Sequence, residues 1–370
     1  MKLFIIALLL TSSDSWLSAA PPRQKPPSIL LSTVSSVPET LAKPRNKLTL
    51  RQKQFWEDVE TSVFDIQKAF QSSSSELTRI DSFQTIAQWK TSPPQPSAEL
   101  HDPCEEYMPG LTAKPFWEND PKLFPWMKPL EDQSATIITE FFEVMKKEDA
   151  ARKEEVERLA QLKAMYDVRS EDAPTLFNSD SAWQNDVMGS GWSAVRLQRL
   201  GEWNTENCAR FPKTYEVVRS LDIPLAVRGV CFAKQSSGSG VFPHSDGRNF
   251  ILTSHLGLKV PGTKEDGVWM KVGEETRGWE EGKVVTIDTS FVHTTSNQST
   301  EDRYVLILDF WHPETTEIER RCLEMVYDLR NKFERGEIPV RKLNKKYDDG
   351  DEEEGRGLAG LWSALTGGNK

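Results

Sequence analysis

The chain has 370 residues, 37% hydrophobic and 28% charged, with twelve tryptophans and a formal net charge of −10. This is a globular composition, long enough for one large domain or two smaller ones, and its acidity excludes nucleic acid as an expected partner. Four scattered cysteines, Cys104, Cys208, Cys231 and Cys322, form no CxxC pair; they are expected to be structural thiols, or to form one disulfide in a luminal chain.

Residues 1–20 read as a signal peptide. Lys2 is a short basic start, Leu3 to Leu10 is apolar but too short to span a bilayer, and Leu17-Ser18-Ala19-Ala20 supplies small residues before a cleavage point. No other run is apolar and long enough to cross a membrane, so no integral membrane segment is expected once the signal is removed. Residues 21–50 follow as a disordered basic leader or transit segment, with Glu39 the only acid in residues 21–53. The expected destination is the secretory pathway (ER lumen or secretion), or an organelle reached through it such as a secondary plastid.

A helical region is expected over 51–170. Phe55, Val59, Val63, Ile66 and Phe70 step along one helix face, and Ser72–Ser75 breaks it. Residues 92–130, rich in proline and aromatics, read as an irregular wrapping segment. A second helix is expected from about Ser134 to Tyr166, with its charged middle, KKEDAARKEEVER, facing solvent. From about Gly191 short runs change character: LAVRGVCFAK, NFILTSHLGLKV, GVWMKV, GKVVTIDTSF and RYVLILDFW alternate with turn residues. Strands so spaced make a sandwich or barrel of antiparallel strands, placed at 171–315. Ile318, Cys322, Met325, Leu329 and Phe333 then mark a C-terminal helix within 316–346. Residues 347–370 read as an acidic tail ending in a short apolar helix.

The chemistry concentrates in the strand region. In an extended strand residues i and i+2 share a face, so His244 and Asp246 in PHSD are expected side by side. His293 is expected at the end of a later strand, VVTIDTSFVH. Two histidines and a carboxylate form the facial triad of non-haem Fe(II) oxygenases, which leaves positions for a keto acid and O2. Arg303 follows at the start of RYVLILDFW, where a planar guanidinium suits the distal carboxylate of such a keto acid. HxD alone is a weak sign; HxD, then His, then Arg, all on strands, is more specific.

The surrounding words are more specific still. PKTYEVV (212–218), FPHSD (242–246), HLGL (255–258), ETRGWEEGKVVTIDTSFVH (275–293) and RYVLILDFWHPE (303–314), with GEWNTENCARFPKT (201–214) upstream, resemble the aspartyl/asparaginyl β-hydroxylase family. The resemblance covers roughly Gly191 to Glu314. It implies a mainly β protein: a double-stranded β-helix, the cupin-like jelly roll, with flanking α-helices at both ends. It implies an Fe(II)/2-oxoglutarate-dependent dioxygenase that consumes O2 and hydroxylates the β-carbon of Asp or Asn in a polypeptide substrate. By motif position His244 and His293 are the iron-binding histidines, Arg303 the partner of the 2-oxoglutarate carboxylate, and His255 a histidine near the cosubstrate. Trp279 to Lys283 is the turn leading into the strand that carries His293.

Two departures from the family matter. Asp246 stands where the best-known animal members have glycine, so it is either a third ligand or an acid that orients a metal-bound water. Thr253 stands where they carry an arginine, and Arg248 is the candidate replacement. Bacterial relatives act on lipid acyl chains, so a lipid or small-molecule substrate is an alternative. So are a non-catalytic jelly-roll binding module with a degenerate metal site, and a cupin holding another metal without a keto acid. Asn297-Gln298-Ser299 is a glycosylation sequon, expected in a loop near the active-site mouth. His312 is expected to be structural, and Trp192, Trp203, Trp269 and Trp279 to serve packing.

Overall fold

The computed structural model describes residues 48–89, 104, 106–163 and 191–344. The expected signal peptide, nearly all of the leader and the acidic tail lie outside them.

Helix α1 (Leu50–Phe70) starts at a capping box: Thr49 accepts from the Gln52 amide, and the Gln52 side chain accepts from the Thr49 amide. Helix α2 (Thr78–Trp89) was not expected; its Ile80, Phe83 and Ile86 are buried at three-residue steps. Strand β1 (Phe116–Trp117) sits in the irregular stretch, followed by α3 (Met127–Asp132) and α4 (Ser134–Lys163). Next come β2 (Trp192–Arg199), β3 (Glu202–Trp203), α5 (Thr205–Arg210) and α6 (Pro212–Ser220). The strand region runs β4 (Leu225–Gln235), β5 (Ser239–His244), β6 (Ile251–Lys259), β7 (Val268–Val272), β8 (Glu275–Arg277), β9 (Val284–Asp288), β10 (His293–Asn297) and β11 (Arg303–Trp311); α7 (Glu317–Glu334) closes it.

The strands form two sheets, ordered β1-β9-β6-β11-β4-β2-β3 and β5-β10-β7-β8. From β4 onward the chain passes back and forth between them, with β4, β6, β9 and β11 in the large sheet and β5, β7, β8 and β10 in the small one. All strand pairs are antiparallel. This alternation is the double-stranded β-helix, as expected, with helices at both ends of the chain. Strands β2 and β3 extend one edge of the large sheet beyond the eight-stranded core, and β1 extends the other.

The large sheet is covered on both faces, so its strands lose the alternating pattern of a half-exposed sheet. In β6, ILTSHLGL is buried throughout. One face, with Leu252, Leu256, Leu306 and Phe310, packs on Trp126, Ile137 and Phe141 of the helical side. The other looks toward the small sheet, where Ala233, Ile287 and Val305 meet Val268, Met270 and Val272. Each such side chain contributes about 1.5–3 kcal/mol by leaving water. A third cluster joins α1, α2 and α7 over Phe250, Ile251 and Trp311. Phe55 and Phe333 meet edge to face at 5.4 Å, so helices from opposite ends of the chain pack on each other.

The irregular segment before β1 is tied to the loop after β5. The Glu106 amide donates to Gly247 O at 2.8 Å. Its carboxylate accepts from Tyr327 and Arg330 and lies 3.7 Å from Arg248 Nε. Burial alone would raise the Glu106 pKa, but Arg330, Arg248 and the Tyr327 hydrogen bond outweigh it and hold the group at about 2. The folded value lies below the ordinary 4.5, so the stabilisation is complete above that pH and is lost as pH falls toward about 2. Glu106→Gln is expected to lower unfolding free energy by about 3 kcal/mol at neutral pH, measured by urea titration, because it leaves buried guanidinium charge uncompensated. The gap between variant and wild type should narrow on acidification.

The cysteines follow the first of their two expected readings, and the expectation for the sequon is corrected. All four cysteines are buried free thiols, so no disulfide forms. The sequon residue Asn297 is not in an open loop: it ends β10 and is fully buried. Its Nδ2 donates to the carbonyls of Gln235, Ser236 and Glu301 at 3.1, 3.2 and 2.9 Å. A glycan would take one of that nitrogen's two hydrogens, break bonds to these carbonyls and need space that a fully buried side chain lacks, so the motif is structural. No helix among the described residues is long and apolar enough to cross a membrane.

Candidate metal centre and cosubstrate pocket

His244 is the last residue of β5 and His293 the first of β10, and they pair directly across the small sheet. Their ring centroids lie 4.2 Å apart. The strand expected to end in His293 is in fact two. VVTID is β9 in the large sheet; Thr289 to Val292 then crosses over, and His293 opens β10. The crossing is pinned by Asp288 Oδ1, which accepts from the Ser290 amide at 3.0 Å. Trp279 to Lys283 therefore leads into β9 and not into the strand carrying His293.

Asp246 lies beyond the end of β5, so strand alternation is not what aligns it. Its amide donates to Thr289 O at 2.8 Å, which fastens it to the crossing segment beside His293. Ligand atoms of His244, Asp246 and His293 fall within 4.8 Å of one another, with His244 Nε2 3.7 Å from Asp246 Oδ1. The Nδ1 atoms of His244 and His293 face the carbonyls of Phe242 and Phe291 at 2.8 and 2.9 Å. When Nδ1–H donates there, each Nε2 keeps its lone pair for a metal. Burial, partly offset by Asp246, pushes His293 down to about 4, so it is neutral at pH 7 as a ligand must be.

Arg228 is the residue that sequence reasoning missed. Gly229 has φ 73°, and a Cβ there would meet Gln198 O at 2.2 Å. The β4–β11 register shifts nearby, between Leu308 and Phe310. Such a bulge resets which residues face inward, and Arg228 joins Cys231 in lining the central cavity. Its guanidinium is ion-paired with Asp246 and with Asp309, the latter at 2.9 Å, and donates to Thr253 Oγ1 at 2.9 Å. The cation beside Thr253 is therefore Arg228. Arg248 reaches the edge of the cavity, but it pairs with Glu106 and lies 5.6 Å from the Tyr327 ring centre. Burial would raise the Asp246 carboxyl, yet Arg228 together with the two histidines holds it well below the usual carboxylate range. The signal for Arg228 was the glycine inside LAVRGVCFAK, since an isolated glycine in a strand marks a bulge.

Arg303 opens β11 and is 3% exposed. Its Nη2 donates to Gln235 Oε1 at 2.7 Å. Nε and Nη1 are buried and have no hydrogen-bond partner among the described residues. The guanidinium lies 3.8 Å over the Trp279 ring. Burial lowers its pKa to about 9, which still leaves it charged at pH 7. A buried cation with two idle donors is a ready anion site. Trp279, expected only to pack, also lies near-parallel to His255 (5°) and donates from Nε1 to His255 Nδ1 at 3.2 Å. Burial, then Arg303, pushes His255 down to about 3, so it is neutral and its Nε2 carries the proton. His244, Asp246, His293, Arg228, His255 and Arg303 line one cavity of about 530 Å³, in the size range of small-ligand sites. His312 lies apart: buried, it joins Thr112 O at 3.0 Å and the Glu314 amide at 3.2 Å, a structural role.

Residues 131–313 match the family described as Aspartyl/Asparaginyl beta-hydroxylase. The mouse protein of that name is 34% identical over 137 residues, covering 36% of this chain and 18% of its own length. Aspartate beta-hydroxylase domain-containing protein 2 of Xenopus tropicalis is 28% identical over 238 residues, covering 60% of this chain and 53% of its own length. The chain thus spans less than a fifth of one relative and about half of the other. Among solved structures, a Pseudomonas putida prolyl-4-hydroxylase is similar only distantly, with a TM-score of 0.25 and 15% identity over 42% of this chain and 85% of that one. The matched segment, 131–313, contains every strand of the jelly-roll core and the His-Asp-His cluster, so the part of the chain that builds the site is similar to the aspartyl/asparaginyl β-hydroxylase family.

Proposed function

We propose that the protein is an Fe(II)/2-oxoglutarate-dependent hydroxylase that acts on the β-carbon of Asp or Asn in a polypeptide. One observation carries this reading: the buried Arg303 guanidinium, with two idle donors, opens on the same cavity as the His244–Asp246–His293 cluster. The two nitrogens and one carboxylate fit Fe(II), and the idle donors fit a carboxylate of the keto acid.

Iron, when bound, supplies the oxidising chemistry by which O2 converts the keto acid to succinate and CO2 and hydroxylates a substrate C–H bond. The chain's own residues do the rest. His244 and His293 present neutral imidazole nitrogens, and Arg228 keeps Asp246 ionised and turned toward them. Arg303 fixes the far end of the keto acid against the face of Trp279, while His255 is positioned to donate from Nε2. The two sheets enclose the site and limit the water that reaches the oxidant.

The test is succinate release by the full chain with Fe(II), 2-oxoglutarate and O2, using peptide libraries containing Asp or Asn. Peptide-stimulated, iron-dependent succinate and one added oxygen on the peptide are expected. Absence of iron-dependent turnover would favour a binding module instead. A secretory destination, proposed from Leu3 to Leu10 and the small residues at 17–20, is checked by locating a fluorescent fusion to residues 1–53.

A further inference from the structure

The charges facing the cavity do not balance, and the remainder lies on one strand. Its two aspartates, Asp246 and Asp309, are both engaged by Arg228. Arg248 is answered by Glu106. Arg303 awaits the keto acid. Arg199 also borders the cavity but is exposed and acts on Glu334. That leaves Arg196, which lines the same cavity, is half-buried, and has no carboxylate partner among the described residues.

Arg196 is on β2, outside the eight core strands that build the metal and keto-acid sites. Val195 and Leu197 turn to the helical side and join the core there, so Trp192 and Arg196 turn inward. Arg196 pairs in register with Cys231 of β4, whereas Arg303 pairs with Gln235 from the opposite side of β4. Four residues of β4 separate those levels, roughly 13 Å along the strand. The two cations therefore serve different anions. Arg303 sits at the level of the keto acid, and Arg196 lies off to the side on the added strand.

We propose that Arg196 binds an anionic group of the substrate, and that the enzyme selects aspartate over asparagine at the reacting position. The proposal rests on the hydroxylase reading above. Trp192, on the same face of β2, stands opposite Gln235 at the level of Arg303, so Arg196 is the cation at its own level of β2, and a carboxylate there would gain charge-assisted hydrogen bonds that an amide could not equal.

The experiment compares wild type, Arg196→Gln and Arg196→Lys on two peptide libraries that differ only in Asp or Asn at the central position. With Fe(II) and 2-oxoglutarate loaded, wild type should favour the Asp library. Arg196→Gln should lose about tenfold in kcat/KM on Asp peptides, the loss of a half-buried charged hydrogen bond, with little change on Asn peptides or in KM for 2-oxoglutarate. Arg196→Lys should restore part of the preference. Equal use of both libraries by wild type, or an Asp preference that survives in Arg196→Gln, would overturn the proposal while leaving the hydroxylase reading intact. No iron-dependent succinate from either library would overturn both.

Discussion

Arg303→Ala is expected to raise the KM for 2-oxoglutarate by about a hundredfold, the loss of a pair of charged hydrogen bonds in a buried site. The guanidinium is held by a single bond to Gln235 and by the face of Trp279, with Nε and Nη1 left idle. Its removal therefore takes little from the fold. It relieves the desolvation that lowers the group's pKa to about 9, so thermal stability should hold or rise. Arg303→Lys should recover only part of the affinity, because an ammonium offers a point charge where a planar fork is needed. Succinate assays at varied keto acid, paired with thermal unfolding, separate these outcomes. A fall in kcat with no change in KM would remove Arg303 as the anchor.

Arg228→Met is expected to act in the opposite way, on stability first. It leaves two buried carboxylates, Asp246 and Asp309, without their shared cation. Breaking such a pair costs about 3–5 kcal/mol, read by urea unfolding at neutral pH. The sign of the pH dependence follows from Asp246. Its folded pKa is depressed below the ordinary 3.8, chiefly because Arg228 outweighs burial. The stabilisation is present above that ordinary value and disappears as pH falls below it. Without Arg228 the carboxylates protonate more readily, so the deficit should shrink as the buffer is acidified. Adding Asp309→Asn should recover part of the loss by removing one unpaired charge. Weaker Fe(II) binding is expected in the single variant, since Asp246 loses the group that orients it.

The elements that govern packing were readable because their patterns are local. Phe55, Val59 and Val63 set the face of α1, and the β-branched runs from LAVRGVCFAK to RYVLILDFW located the jelly roll. His244, His293 and Arg303 were readable because each sits at a strand end that the fold places on one cavity. What escaped reading depended on contacts distant in sequence or on a break in alternation. Arg228 faces inward only because Gly229 inserts a bulge. Asp246 is aligned by a bond to Thr289 and not by its own strand. Thr289 to Val292 looked like a strand interior, yet it carries the chain from one sheet to the other. Asn297 looked like a surface sequon because nothing local reveals that three carbonyls converge on it. Helix α2 was hidden by the serine-rich entry before it and by an apolar face of only three residues, made stable by α7 and Phe250.

The most direct measurement is anaerobic Fe(II) titration of the full chain in the presence of 2-oxoglutarate, followed by the visible absorption of the iron–keto acid complex. A single saturable site is expected in wild type, lost in His293→Ala and weakened in Asp246→Gly. Equal iron binding and an unchanged spectrum in His293→Ala would contradict a metal centre built from His244, Asp246 and His293.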